Sequence, residues 1–186
     1  MGDKMPTRHD VIIAGIGGTG SMIIGQILAS AGVTKYKYTL WNPSMTTARR
    51  GAPADCTVVL SDEKIGSPLF MQAQTVIMTE SSRLNFFEKR VLQGGTLIIE
   101  TSGLKETVKR DDIRTIEIPG VTTAAKIGNA LARNMVLLGA YIKTINPLTM
   151  EAIEKEITTR FEKNNAMLTL NIKAFQKGAE IVAKAA

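Results

Sequence analysis

The sequence predicts an α/β protein, a doubly wound, mostly parallel sheet with helices on both faces and a helical C-terminal third. Three observations carry this prediction. Short β-branched runs bounded by turn residues recur through the first 120 positions. Helical segments alternate with them. After Pro119-Gly120 the pattern turns helical to the end.

Residues 11–14, Val-Ile-Ile-Ala, read as a buried first strand entering the turn Gly15-Ile16-Gly17-Gly18-Thr19-Gly20. Residues 21–31 are apolar on nearly every face, as in a helix packed inside an α/β protein, and Gly32 ends them. Residues 37–41 form a second strand and 42–54 a long loop. Residues 56–60, 75–78 and 96–99 are further strands, with a helix over 82–92 closed by Gln93-Gly94-Gly95. A last strand covers 115–118. One long helix spans 122–144, stopped by Asn146-Pro147, and Thr149 caps the next. Ile153, Ile157 and Phe161 recur at spacing four. Leu168, Ile172, Phe175, Ala179 and Val182 mark one apolar face of a final helix, which packs on the core or on another subunit. The expected organisation is a single domain over 1–186: an N-terminal extension (1–10), an α/β core (11–120) and C-terminal helices (121–186).

Composition bounds the chemistry. Of 186 residues, 44% are apolar and 22% charged, which is globular rather than disordered. Cys56 is the only cysteine and His9 the only histidine, so this chain's thiols alone build no disulfide, iron–sulfur cluster or zinc site. The net charge of +6 is concentrated in the first 54 residues, with six basic and two acidic side chains. That suits an anionic small molecule or an acidic protein partner better than nucleic acid. The uncharged run 11–34 has membrane length, but the glycine turn within it would expose backbone groups that lipid leaves unsatisfied. With no cleavage signal at the N-terminus, a cytoplasmic protein with no membrane contact is expected.

Gly15, Gly17 and Gly20 satisfy G-x-G-x-x-G after a strand and before a helix, the opening of a Rossmann-like core. Glycine admits the tight turn, and the helix behind it offers free N–H groups and a positive dipole end to a diphosphate. A nicotinamide dinucleotide would also need an acidic residue after the second strand for the ribose, and none exists between Asp10 and Asp55. Lys35 or Lys37 could instead meet a 2′-phosphate. Simple packing of helix against strand is the other reading. Arg49-Arg50-Gly51 forms a basic loop that either binds an anion or is solvated. No nucleophile stands beside a base. His9 is expected at the surface, Cys56 inert within a strand, and Asp111-Asp112 in a solvated turn. Asn134, a polar residue in an apolar helix, either braces a bend or faces a ligand.

Several segments together resemble the gamma subunit of 2-oxoacid:ferredoxin oxidoreductases. The family's opening turn is similar to residues 15–20 and its next helix to Gly25-Gln26-Ile27-Leu28-Ala29. Its arginine-glycine loop is similar to Arg50-Gly51-Ala52, followed by Val58-Val59-Leu60-Ser61-Asp62 and Ile65-Gly66-Ser67-Pro68. Gly94-Gly95-Thr96-Leu97-Ile98-Ile99, Ile127-Gly128-Asn129, residues 134–140, and Asn171-Ile172-Lys173-Ala174-Phe175 with Gly178 continue the match in order. Thr19 replaces the family's glutamine, Met45-Thr46-Thr47-Ala48 its usual tyrosine-glycine-proline-glutamate, and Ala52 its second loop glycine. The resemblance implies a subunit without a complete active site. It would assemble with alpha, beta and ferredoxin-like subunits that carry thiamine diphosphate and iron–sulfur clusters, in an enzyme oxidising a 2-oxoacid to acyl-CoA. This chain would bind no cofactor tightly and would contact coenzyme A (CoA) through Gly15, Gly17, Gly18, Thr19, Gly20, Arg49, Arg50, Gly51 and Asn134. A stand-alone NAD(P)-binding enzyme, a purely structural subunit, and a homodimer of the isolated chain stay open as alternatives.

Overall fold

The computed structural model describes residues 8–45 and 51–185. Six strands form one sheet in the order β2-β3-β1-β4-β5-β6. They are β1 (Arg8–Ala14), β2 (Tyr38–Met45), β3 (Ala54–Ser61), β4 (Ala73–Met78), β5 (Val91–Glu100) and β6 (Arg114–Ile118). The pairs β1/β4, β4/β5 and β5/β6 are parallel, while β3 runs antiparallel to both β1 and β2. Five strands therefore share one direction and β3 alone opposes them. The helices are α1 (Ser21–Gly32), α2 (Leu84–Phe87), α3 (Gly120–Ile127), α4 (Arg133–Ile145), α5 (Met150–Phe161) and α6 (Asn165–Ala185).

Strand periodicity splits the core in two. Val11, Ile13, Cys56, Val58, Leu60, Ile77 and Ile98 point to the face covered by α1, α3, α4, α5 and α6. Ile12, Ala14, Val76, Met78, Leu97 and Ile99 point to the other, which carries only α2, with Leu84 and Phe87 buried, and loop residues such as Leu104 and Val108. Helices flank both faces, very unequally. The apolar face of α6 packs on α4: Phe175 is fully buried and Ala179 nearly so.

Three elements differ from the sequence-based expectation, each for a local reason. The helix expected over 82–92 shrinks to α2 and one 3-10 turn, Glu88–Arg90. Arg90 donates to the carbonyls of Phe70 (2.8 Å) and Met71 (2.9 Å), and from Val91 the chain already pairs with Ala73 as β5. The helix expected over 122–144 breaks at Gly128 (φ 126°) into α3 and α4, with a 3-10 turn at Ala130–Ala132 between them. The loop expected over 42–54 is partly strand, because β2 continues to Met45 and tolerates Pro43 at the sheet edge. Thr149 caps α5 as expected, its hydroxyl accepting from Ala152 N at 3.2 Å. Among the described residues, no helix is long and apolar enough to cross a membrane.

Candidate functional site

The parallel strands β1, β4, β5 and β6 all end at one edge, where the crevice of an open α/β sheet lies. There β1 runs into the glycine turn. One side of the turn is zipped to the lead-in of β3. Gly17 N donates to Ala52 O (2.8 Å), Gly51 N to Gly17 O (3.3 Å) and Ala54 N to Gly15 O (2.9 Å), so antiparallel pairing continues past the end of β1. Underneath, Gly15 is gripped by an ion pair. Asp55 Oδ1 accepts from Gly15 N (3.0 Å), and Arg83 donates to Gly15 O (2.5 Å) and bidentately to Asp55 (2.5 and 2.8 Å). Charge-assisted contacts to both backbone groups of one residue fix the start of the turn. Glu80 adds a carboxylate 3.6 Å from Arg83 Nε. Asp55, Glu80 and Arg83 were not singled out by the sequence; only the approach of β3 and β4 brings them together.

Thr19 is turned inward. Its hydroxyl lies 2.7 Å from that of Thr79, with Ile16 O and Ala14 O at 2.8 and 3.0 Å as acceptors for the remaining proton. Thr19 N also donates to Ile16 O (3.1 Å), so Thr19 braces the turn from within. Gly20 stands at the N-cap of α1 in the left-handed region (φ 83°), and no side chain caps the helix. The first turn of α1 also contains no acidic residue to offset its positive dipole end; Ile23 N and Ile24 N already donate to Gly20 O (3.1 and 3.2 Å), which leaves the N–H groups of Ser21 and Met22 ahead of the helix's own acceptors. Asn134 sits directly over Gly20, where a Cβ would collide with its Nδ2 and lie 2.7 Å from its Cγ. The sequence alone joins these residues only through the resemblance, since 114 positions separate them.

Beyond the turn lies a cleft of about 620 Å³. Its walls come from the turn and first residues of α1 (Gly17, Gly18, Gly20, Met22, Ile23), the 3-10 turn before α4 and the first turn of α4 (Leu131, Asn134), the last residue of α5 (Phe161) and the first two turns of α6 (Met167, Asn171). The lining is mainly apolar and includes no charged side chain among the described residues. Asn134 and Asn171 are buried. Asn171 Nδ2 donates to Met167 O (2.8 Å).

The remaining candidates divide. Gly15, Gly17, Gly18, Thr19, Gly20, Gly51 and Asn134 converge on the turn and cleft. Arg49 and Arg50 lie outside the described residues. Lys35 follows the far end of α1, roughly 18 Å along the helix from the turn, and its ammonium donates to Pro147 O (2.7 Å). It is therefore removed as a phosphate ligand at the turn, and Lys37, two residues on, shares that end of the sheet. His9 is not at the surface as expected. It is half-buried in β1, edge-on to Tyr36 with ring centres 5.9 Å apart, and burial and Lys35 hold its pKa below the usual value. Cys56 is buried inside β3 beside Trp41 and Gly25, and burial pushes its thiol up to about 12. It is a poor nucleophile. Asp112 pairs with Arg110 on the surface, while Glu88 nearby is buried and accepts from Lys109 N and Arg110 N. Glu100, also buried, accepts from Ser102 N and from Val121 N at the start of α3.

The sequence profile of one family, described as pyruvate ferredoxin/flavodoxin oxidoreductase, matches residues 10–181, nearly the whole chain and every element from β1 to α6. The chain belongs to that family. Among curated relatives it is 29% identical over 171 residues to ketoisovalerate oxidoreductase subunit VorA of Methanothermobacter marburgensis, covering 91% of this chain and 36% of VorA. It is 27% identical over 182 residues to 2-oxoglutarate synthase subunit KorC of the same organism, covering 94% and 97%. The gamma subunit of a keto/oxoacid ferredoxin oxidoreductase from Geobacter sulfurreducens PCA has the same fold. Its TM-score is 0.83 at 25% identity, over 96% of this chain and 98% of that one. The chain thus spans about a third of the VorA relative but nearly all of KorC. Within the family frame, the inward Thr19 stands where the resemblance places a glutamine. The altered loop at 45–48 falls at Met45, the last residue of β2, and on three residues outside the description.

Proposed function

We propose that this chain is the gamma subunit of a cytoplasmic, thiamine-dependent 2-oxoacid:ferredoxin oxidoreductase, in which it holds CoA for acyl transfer carried out elsewhere in the complex. The observation that carries the CoA part is the uncapped, acid-free N-terminus of α1 opening into an apolar cleft. CoA is a diphosphate with apolar and amide-bearing flanks, and such a helix end accepts a diphosphate through backbone N–H groups. Arg49 and Arg50 precede Gly51, whose amide is bonded to the turn, and are the nearest cations in sequence for the phosphate charge. The contribution is positional: the acceptor thiol is brought to an intermediate formed on another subunit.

Topology argues against a dinucleotide. In a dinucleotide-binding sheet the second strand lies beside the first, so an acid at its end reaches the ribose. Here β3 is inserted between them and β2 is an edge strand, so no residue ending β2 is next to the turn. Nor do the residues offer thiolates for a cluster: Cys56 is alone, and among the described residues no three metal-binding side chains converge. Thiamine diphosphate and the clusters are assigned to the alpha, beta and ferredoxin-like partners. Assembly is supported by exposed apolar side chains near Arg90, whose guanidinium holds the Met71 carbonyl and stands over the Phe86 ring: Met71 is 83% exposed and Phe86 60%, and Leu69, two residues before Met71, is 74% exposed. Methionine, aromatic and arginine side chains are enriched in protein interfaces.

Purification from the native cell tests both parts. Larger subunits bearing thiamine diphosphate and iron–sulfur clusters are expected to accompany the chain, and the complex is expected to bind CoA in calorimetry but neither NAD nor NADP. Recovery as a free monomer overturns the subunit reading, and tight NADPH binding without CoA binding overturns the ligand. A folded Gly17→Val variant that assembles with unchanged CoA-dependent turnover would favour an empty, structural turn.

A further inference from the structure

A second surface stands apart from the glycine turn. The turn follows the end of β1, whereas residues 65–72 lead into the start of β4, and Lys89 and Arg90 into the start of β5, at the opposite end of the parallel strands. The six residues of β4 span the gap, roughly 20 Å. Resting on the subunit reading above, we propose that this surface, built from Leu69, Met71, Phe86, Lys89 and Arg90, docks a different subunit of the complex. That subunit offers an apolar groove edged with acidic side chains.

The first observation is that the apolar side chains are held outward. Phe70 packs inward against the core on the face that carries only α2, while its neighbours Leu69 and Met71 are exposed. The backbone beneath them is tied down. Arg90 donates from Nη2 to Phe70 O and from Nε to Met71 O. Gln72 Nε2 donates to Lys89 O (3.1 Å), and Ser67 Oγ accepts from Leu69 N (3.1 Å). The same guanidinium lies 5.8 Å from the centre of the exposed Phe86 ring and 5.9 Å from that of the buried Phe87. Single exposed apolar residues are ordinary, but here Met71 and Phe86 share one organising arginine, with Leu69 beside them. A backbone ordered in advance has little freedom left to lose on association.

Charge selects the occupant. In the two runs that form the surface, 65–72 and 84–92, the charged residues are Glu88, Lys89 and Arg90. Glu88 is buried and accepts from the amides of Lys109 and Arg110, so the outward charge of these runs is cationic. A second copy of the chain would meet the patch with itself across a two-fold axis, setting Lys89 and Arg90 against their own like charges. Carboxylates around an apolar groove answer both features.

The relatives show why such a surface is needed. The region matching this chain makes up 36% of VorA but 97% of KorC. In VorA the unit is joined to the rest by the chain itself. KorC, a subunit built almost wholly from this unit, has only its surface by which to be retained, and permanent interfaces are the more hydrophobic ones. A partner seated here also leaves the cleft free. The cleft is lined from α1, α4, α5 and α6, on the other face of the sheet.

The test uses the purified complex. Met71→p-benzoylphenylalanine is expected to crosslink on irradiation to a larger subunit of the complex. Leu69→Lys and Met71→Lys, both at exposed positions, should keep the thermal midpoint of the isolated chain and weaken its association with that subunit at least about tenfold. If either lowers the midpoint, the other carries the comparison. Lys89→Glu should slow association and reduce its dependence on salt. A crosslink between two copies of this chain, or undiminished association of both lysine variants, overturns the proposal. Unchanged or faster association of Lys89→Glu overturns the acidic edge. If the chain purifies with no other subunit, the subunit reading itself falls. If the complex forms and position 71 crosslinks to nothing in it, only this docking surface falls.

Discussion

Arg83 and Asp55 form a bidentate ion pair that holds both backbone groups of Gly15, one partner binding its carbonyl and the other its amide. The pair ties β3 and the segment after β4 to the end of β1, at the point where the chain enters the turn. Both side chains are about a quarter exposed or less, 24% and 22%, so water screens the pair only in part.

Removing Arg83 should therefore cost more than a surface ion pair. Arg83→Met leaves the Asp55 carboxylate with one amide donor in a partly buried position. The expected loss is about 2 kcal/mol, seen as a lower urea midpoint at unchanged slope. Asp55→Asn keeps an acceptor for Gly15 N and should lose less. If the turn holds CoA, KM for CoA should rise in Arg83→Met while kcat changes little, because the helix end is displaced rather than removed.

The crossing of α4 and α6 predicts a second effect. A Cβ on Gly139 would strike the Phe175 carbonyl, and one on Gly178 would strike that of Val136. The two backbones touch, so the helices have to part to admit even alanine. Gly139→Ala or Gly178→Ala should destabilise by about 1–3 kcal/mol, through overpacking in a fully buried contact. Gly66, with nothing within 4 Å and no positive φ, is the control; Gly66→Ala should change stability by less than about 0.5 kcal/mol. Equal thermal midpoints for all three variants would show that the crossing relaxes freely.

Much of this architecture is readable in the residues themselves. Val11 to Ala14, the glycine turn and α1 follow from apolar runs and turn chemistry, and Thr149 announces α5 because capping is local. What escapes is non-local. The reversal of β3 leaves no mark on its own residues, since an antiparallel strand buried on both faces has the same β-branched run as a parallel one. The shortening of the helix expected at 82–92 depends on Arg90 reaching the carbonyls of residues 70 and 71. At the site, the turn was visible, whereas Asp55, Arg83 and Asn171 acquire meaning only when the sheet and helices bring them to it. Asn134 stands out in the sequence as a polar residue in an apolar helix, and the structure gives it a physical setting over Gly20.

Cys56 should be silent toward thiol reagents. Its sulfur is buried beside Trp41, and desolvation, the largest influence, pushes the pKa up to about 12. Almost no thiolate exists at pH 8. Native protein should take up essentially no alkylating reagent in the time that urea-unfolded protein takes up one equivalent. Rapid labelling of the native chain would mean that β3 opens locally.

His9 gives a pH dependence of definite sign. In the folded chain burial, and next the Lys35 charge, lower its pKa from the usual 6.5, with Asp10 opposing. The unfolded chain therefore takes up a proton at a higher pH than the folded one, and stability falls as pH drops from above 6.5 through the folded-state value. Above both values the imidazole is neutral in each state and contributes no slope. The urea midpoint should accordingly be flat from pH 8 to about 7 and decline below 6.5, before the carboxylates begin to titrate. His9→Gln retains a polar side chain in β1 without the titration, and should flatten the curve between pH 7 and 5.5. An unchanged slope in that variant would remove the half-buried imidazole as its cause.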